Sequence, residues 1–300
     1  MLFMLLDHVR ETFYLHLQVP DPMVVADTPP GLFVPRMLAH LCAPVFVFLT
    51  GLSAYLYASR HADAGQARAA ASGFLWRRGL FLVLLEVTVI NFAWTFQFPP
   101  AKVFLQVIWA IGLSMLALSL LVWLPRRALL GLGVVLVAGH NLLDGLHFPA
   151  GHLLHAPWAI LHDRGWLELA GVQLRTSYPV LPWVGVIALG YGIGPWFGKD
   201  CDAARRRQLL LVAGVASLLG FALLRTLNVY GDAPWQAGAT TLHTVMAWFN
   251  VTKYPPSLLF LLLTLGVGLL LLRGFEARAG ARWLAPLGTL GAGPVFFYVL

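Results

Sequence analysis

Residues 256–273 read PSLLFLLLTLGVGLLLLR, an apolar run that reaches its first charged residue only at Arg273. About 20 residues of this kind, wound into a helix, span the hydrocarbon core of a bilayer. The whole chain is 59% hydrophobic and 11% charged, whereas soluble domains carry about 25% charged residues. Only helices and closed barrels satisfy their backbone groups in lipid, and these runs do not alternate with polar residues. The sequence therefore predicts an all-α integral membrane protein.

Nine apolar segments predict a polytopic transmembrane helical bundle that forms one domain over residues 1–300. We expect both terminal segments to be truncated spans, because the first lacks a basic flank and the last stops inside an apolar run. Within 147–176 we expect a short helix followed by a hairpin around Gly171. The nine segments are roughly 1–19, 32–58, 73–95, 103–124, 128–146, 177–197, 208–229, 256–273 and 283–300.

The positive charges follow the connections between these segments. Four connections, with their flanks, hold 13 of the 20 Lys and Arg residues, and the positive-inside rule places them in the cytoplasm. This topology explains the net charge of +7, so a nucleic-acid partner is not predicted. The four basic connections are 59–78, 125–127, 198–207 and 274–282.

Polar side chains inside the predicted spans are the main functional signal. A charged residue near the bilayer centre costs about 2.5–3.5 kcal/mol on insertion scales, so it needs a partner or a function. Asp7 and Arg10 share one helical stripe with His8 beside it, and Arg36 and His40 are an i, i+4 pair. The structural alternative is a set of hydrogen bonds that fixes helix packing. The candidate substrate-binding residues are Arg10, Arg36, Asn91, His140, Asn141, Asp144, Arg225, Asn228 and Lys253.

Several histidines in segment 147–176 raise the question of a metal site. They come without a cysteine or a nearby pair of carboxylates, and histidine is common at membrane interfaces. No metal is predicted on this pattern. The histidines concerned are His147, His152, His155 and His162.

Eight stretches, spread in order over nearly the whole chain, invite comparison with known families. They are LLDHVRETF (5–13), HLCAPVFVFLTGLSAYLY (40–57), LEVTVINFAWTF (85–96), LQVIWAIGLSM (105–115), AGHNLLDG (138–145), YPVLPWVGVIALGYGIGP (178–195), LNVYGD (227–232) and FNVTKYPPSLLFLLLTLG (249–266). Together they resemble a bacterial family of membrane proteins that is grouped with the catalytic domain of heparan-α-glucosaminide N-acetyltransferase, among the transmembrane acyltransferases.

The resemblance implies transfer of an acyl group, such as acetyl, from acyl-CoA on the cytoplasmic side to an extracytoplasmic acceptor such as a sugar. It implies a catalytic His in or just after the first span, where this chain has Asp7 and His8. The eukaryotic enzyme has its His a turn or more further on, so His16 and His40 are alternatives. The resemblance also implies a multi-pass protein of the bacterial cytoplasmic membrane, whose partners are the bilayer, the acyl donor and a small acceptor.

Two other classes of function fit the same residues. In a proton-coupled transporter, Asp7, Glu86, Arg225 and the histidines would form a pathway through the membrane. In a membrane scaffold, the polar core would be purely structural. Release of CoA from labelled acetyl-CoA distinguishes the enzyme from both, and uptake in proteoliposomes tests the transporter.

Overall fold

A computed structural model describes residues 2–61, 63–278 and 280–291 of the chain. These residues are mostly helical, with one small sheet. The thirteen α-helices in this part of the chain are α1 Leu2–Phe13, α2 Pro30–Ala39, α3 Cys42–Ala58, α4 Ala64–Leu85, α5 Asn91–Thr95, α6 Val107–Leu121, α7 Arg126–Gly139, α8 His155–Leu161, α9 Leu181–Gly192, α10 Ala203–Leu227, α11 Thr241–Phe249, α12 Leu258–Glu276 and α13 Ala285–Gly291.

The chain divides into two compact units, and the second is inserted into the first. Unit 1 comprises the described parts of Met1–Val45 and Ala203–Leu300, and unit 2 comprises those of Phe46–Asp202. In unit 1, α1 packs on α2, and α10 packs along α12. In unit 2, α4 packs on α6, and α9 packs on both α6 and α7. The predicted single domain stays a prediction.

The sheet belongs to unit 2 and has the order β1-β3-β2. Its strands are β1 Lys102–Leu105, β2 Trp166–Leu169 and β3 Val172–Thr176. The hairpin of β2 and β3 turns at Gly171, whose φ of 81° suits glycine. With α8 before it, this is the predicted helix and hairpin. β1 was not predicted, because its apolar residues Val103, Phe104 and Leu105 merge with the apolar run that follows.

Two glycines permit α3 and α9 to approach closely within unit 2. A Cβ atom at Gly51 would meet the carbonyl oxygen of Ile187, and one at Gly190 would meet that of Phe48. Any side chain at either position would therefore force the two backbones apart. Small residues at such crossings are typical of helices that pack in membranes.

Among the described residues, four helical stretches are long and apolar enough to cross a membrane, judged by length and composition: Pro30–Ala58, Arg126–Leu143, Ala203–Leu227 and Leu258–Glu276. Val107–Leu121 and Leu181–Phe197 are shorter apolar helices. The count of nine spans is not confirmed. The first predicted span yields a helix of only 12 residues, which covers about 18 Å at 1.5 Å per residue. Half of the ninth, from 292 onward, lies outside the described residues.

Candidate functional site

A network of buried ion pairs joins α1 to α2 in unit 1. Arg36 donates from Nη1 to Asp7 Oδ2 at 2.6 Å and to Glu11 Oε1 at 2.7 Å. Arg10 donates to the other oxygen of Asp7 at 2.8 Å. The i, i+3 spacing of Asp7 and Arg10 places both on the helix face that meets Arg36. Because Asp7, Arg10 and Arg36 are buried, their charges depend on one another for compensation.

Asp21, in the loop after α1, extends this network to His40. Its Oδ2 accepts from Arg36 Nη2 and from His40 Nε2, each at 3.2 Å. His40 follows the end of α2, is 2% exposed, and packs against Phe260 with ring centroids 5.4 Å apart. An ionised carboxylate only accepts hydrogen bonds, which assigns the proton to Nε2 and leaves Nδ1 as the basic nitrogen. Neither Nδ1 of His40 nor Oδ1 of Asp21 has a hydrogen-bond partner in the described chain.

The loop that carries Asp21 is anchored from the other end of unit 1. The side-chain amide of Asn250 pairs with the backbone of Met23, accepting at 3.2 Å and donating at 2.6 Å. Met23 also packs with Phe33 and Met246 in a small apolar cluster. These contacts fix the chain two residues beyond Asp21 and so hold its carboxylate beside His40.

Lys253 is a second buried cation near this pair, 7% exposed, with its ammonium 5.0 Å from the centre of the Tyr254 ring. The segment is ordered by Asp232, which accepts hydrogen bonds from Thr252 and Ser257. Burial by itself raises the pKa of Asp21. The hydrogen bond from His40 and the charges of Lys253 and Arg36 outweigh it and hold the pKa below its ordinary value. Asp21 is therefore a carboxylate at neutral pH.

His8 lies at the edge of the same network. Its side chain is 29% exposed, and its Nδ1 is 3.7 Å from Glu11 Oε2. Glu11 in turn accepts from Arg36. The structure thus brings Asp7, His8, Arg36 and His40 into one connected group, although His8 is much more exposed than His40.

Arg225 and Asn228 bind the backbone of unit 1 instead. The Arg225 guanidinium donates to the carbonyl oxygens of four residues: Trp248, Ala233, Ala247 and Asn250. Asn228 pairs with both backbone groups of Trp235, each at 3.0 Å. These contacts fix the loops around α11. A role of either residue in substrate binding stays a prediction.

The remaining candidates lie in unit 2. Asn91 donates to the carbonyl of Lys102 and accepts from the backbone N–H of Phe104, and so holds β1. Glu86, 1% exposed, accepts from the backbone N–H of Trp109 at 3.3 Å. His140, Asn141 and Asp144 lie together at the end of α7.

The family model described as heparan-alpha-glucosaminide N-acetyltransferase, catalytic, matches residues 24–231, which are 208 of the 300 residues. The chain belongs to this family. Membership confirms the resemblance seen in the sequence and indicates a membrane acetyltransferase. A comparison with curated proteins and one with solved structures found no match.

The match to the acetyltransferase family includes only part of the charged network. Arg36 and His40 lie inside the matched range, whereas Asp7 and Asp21 precede it and Lys253 follows it. The network is therefore completed by residues on both sides of the region that identifies the family.

Sequence reasoning missed Asp21 as a partner of His40. It lies in the connection 20–31, outside any predicted span, so the cost of burying a charge did not single it out. The sequence feature that could have indicated it is its position between Pro20 and Pro22. Proline restricts the backbone, which favours a fixed position for the residue between them. Asp232 was missed for the same reason.

Proposed function

We propose that the protein transfers an acyl group, acetyl in the first instance, from acyl-CoA to an amino or hydroxyl group of an extracytoplasmic acceptor, with His40 as the general base. The observation that carries this is the buried His40–Asp21 pair, in which Nε2 binds a carboxylate and Nδ1 has no hydrogen-bond partner in the described chain. A histidine oriented in this way through one nitrogen presents the other as a base.

The reaction needs two proton transfers, one from the acceptor to His40 and one from His40 to the leaving group. His40 Nδ1 takes the proton of the acceptor N–H or O–H as that atom attacks the thioester carbonyl carbon. The new bond forms, the C–S bond breaks, and the departing CoA thiolate takes the proton back from His40. The products are the acylated acceptor and CoA, with no other reactant required.

Asp21 has two functions in this scheme. Its hydrogen bond holds the imidazole in one tautomer and one orientation, and its negative charge stabilises the imidazolium that forms during transfer. The depressed pKa of Asp21 supports this, because the group stays ionised while His40 gains and loses its proton. Arg36 acts as a positioning residue, since it holds Asp21 from the other side.

Our candidate donor for the oxyanion that develops on the thioester carbonyl is Lys253, whose charge acts on both Asp21 and His40. Its ammonium is buried, where a charged hydrogen-bond donor is worth more than in water. Arg36 donates to three carboxylates, and Asn91 and Asn141 have local partners, so these three candidates are less suited to the task. His8 is the competing base, with Glu11 as its carboxylate.

The side of the membrane on which the acceptor binds follows from the predicted topology. If connections 59–78 and 198–207 are cytoplasmic, the loops that carry Asp21 and Lys253 lie on the opposite side. The family name specifies the amino group of a glucosaminide as acceptor, and glucosamine is therefore the first probe.

The test is turnover of labelled acetyl-CoA with glucosamine by the purified full chain in proteoliposomes. Replacing His40 by Ala should lower turnover by about 100- to 10,000-fold, the usual contribution of a general base. Asp21→Asn should lower kcat in the same direction. His61→Ala is the matched control, because its ring binds a local carbonyl in another loop.

The same assay decides between the two histidines. Wild-type turnover in His40→Ala, together with its loss in His8→Ala, would overturn the assignment to His40. If neither variant changes turnover, the acyltransferase proposal for this network fails.

A transporter remains the second candidate, because buried ionisable residues linked in a network are also found along proton pathways. The observation that favours it is the chain of contacts from Arg10 through Asp7 and Arg36 to Asp21. Proton-coupled uptake of glucosamine without release of CoA would support it. CoA release that needs no proton gradient would contradict it.

A further inference from the structure

We propose that unit 2 binds one divalent transition-metal ion, of the class of Zn²⁺, through His140, Asp144 and His162. This inference stands apart from the proposed acyl transfer, because none of the three residues belongs to the His40 network. The ligand atoms of the three side chains lie within 4.8 Å of one another.

Local structure explains why these residues meet. The helix α7 ends at Gly139, and the turn His140–Leu143 that follows brings the side chains of His140 and Asp144 to the same end of the helix. His162 follows directly after α8, and its ring is stacked on Trp158 with centroids 5.2 Å apart. The rings of His140 and His162 are 5.8 Å apart.

The donor set suits a transition metal. Two imidazoles and one carboxylate form a common ligand set for catalytic zinc and for non-haem iron. His162 Nε2 lies 3.4 Å from Asp144 Oδ1, close to the edge of about 3.4 Å that a tetrahedron has when its bonds are about 2.1 Å long. A small movement of the His140 ring would complete the set. With three protein ligands, one position stays open for water or another ligand.

The histidine nitrogens supply the second, independent observation. His140 is 2% exposed, and neither of its ring nitrogens has a hydrogen-bond partner in the described chain. Buried polar side chains are nearly always satisfied, so an imidazole with both nitrogens unused calls for an explanation. Coordination of a metal would satisfy one of them.

The surroundings of Asp144 match those of a metal ligand. The Asn141 amide donates to Asp144 Oδ2 at 2.8 Å and leaves Oδ1 toward His162. Such outer contacts commonly orient the carboxylates that bind metals. The Asp144 side chain is 49% exposed, which gives an ion access to ligands that are otherwise buried.

A metal-free hydrogen bond is the competing arrangement. His162 Nε2 is 3.0 Å from the carbonyl oxygen of His140, and in that state it is protonated and donates. Metal binding through Nε2 would displace this proton. The two arrangements differ in whether the purified protein takes up an ion.

The experiment measures metal content of the full chain, purified in detergent without a histidine tag, stripped with EDTA and then exposed to Zn²⁺. We expect about one Zn²⁺ per chain after dialysis, and an EDTA-sensitive unfolding midpoint. His140→Ala and His162→Ala should each bind at least about 100-fold more weakly, since loss of an outer-shell partner alone costs about 10- to 100-fold. Asn141→Ala should show that smaller loss.

His152→Ala is the matched control, because His152 is an exposed histidine of the same segment and lies outside the three-residue group. It should bind Zn²⁺ like the wild type. If His140→Ala fails to fold, Asp144→Asn decides the matter, since this half-exposed side chain can change without opening a cavity. A wild type that retains no Zn²⁺, or an Asp144→Asn variant that binds as tightly as the wild type, overturns the proposal.

Discussion

Arg36 and Arg225 are both buried arginines of unit 1, 6% and 2% exposed, yet their partners differ in kind. Arg36 binds the carboxylates of Asp7, Glu11 and Asp21. Arg225 binds only backbone carbonyl oxygens among the contacts described above. A guanidinium among carboxylates sets the charge state and position of groups that can take part in chemistry. One among carbonyls holds loops together.

This difference distinguishes two arginines for which the sequence predicted the same role. Both arginines were candidates for substrate binding, because each is a charge in an apolar segment. The partner, and not the burial, distinguishes a residue that tunes a histidine from one that fixes the chain.

Replacing Arg36 by Ala should have the largest effect. It leaves Asp7 and Asp21 as buried carboxylates with one cationic partner fewer, and breaking a buried ion pair from one side costs about 3–5 kcal/mol. Unfolding by denaturant in micelles measures the loss. Arg60→Ala, at an exposed position, is the control and should stay within about 0.5 kcal/mol of the wild type. A loss below about 1 kcal/mol for Arg36→Ala would show that the network is not held by this residue.

Replacing Arg225 by Lys should lower the free energy of unfolding by about 1–3 kcal/mol, the cost of an unsatisfied buried polar group. An ammonium has three donors on a flexible stem and cannot reproduce the fork that reaches four carbonyl oxygens. The measurement is the same unfolding assay, with KM for the acceptor determined alongside. A raised KM at unchanged stability would instead support the predicted role in substrate binding.

The surroundings of Arg36 could be predicted from the sequence better than those of Arg225. Arg36 and His40 were recognised as a pair because their i, i+4 spacing places them on one face of a helix. In the structure both are buried, and Asp21, which was not predicted, accepts a hydrogen bond from each of them. A charged residue in an apolar segment strongly predicts a nearby partner, because the free-energy cost of burying the charge must be compensated.

The partners of Arg225 could not be predicted, because every residue has a carbonyl and none is marked in the sequence. Asp21 was missed for a related reason, since its contacts with Arg36 and His40 form only when the loop between α1 and α2 has folded. The same limit applied to His140 and His162, which are 22 positions apart and meet through two helix ends. Local periodicity describes a face of one helix, whereas these contacts depend on how separate segments return to one another.

A smaller effect is expected at Asn228, which supports the loop beside Arg225. Its φ of 58° is in the left-handed region that asparagine tolerates, and its side chain makes two hydrogen bonds to Trp235. Asn228→Ala should cost about 1–2 kcal/mol, since each such bond is worth about 1 kcal/mol. Asn228→Gly is the matched variant, because glycine accepts the backbone angle but also loses the bonds. If Gly restores wild-type stability, the backbone angle and not the hydrogen bonds accounts for the asparagine.

The smallest effect is a pH dependence that arises only on the Arg36 side. The folded-state pKa of Asp21 lies below its ordinary value of 3.8, whereas in the unfolded chain it returns to that value. Unfolding therefore takes up a proton between the two values. The stabilising contribution of Asp21 is complete above the ordinary pKa and is lost as the pH falls through the folded one. Arg225, bound to carbonyl oxygens, introduces no comparable transition.

The measurement is the free energy of unfolding from pH 6 down to pH 3 for the wild type and Asp21→Asn. The wild type should lose more stability over this range than the variant, because an amide cannot titrate. His40→Ala removes the contact that most strongly lowers the pKa of Asp21, and it should reduce the pH dependence part of the way toward that of Asp21→Asn. Equal slopes in the wild type and Asp21→Asn would mean that Asp21 gains nothing from Arg36, Lys253 and His40. In that case Arg36, like Arg225, would only hold the chain in place and would not set the charge state of Asp21.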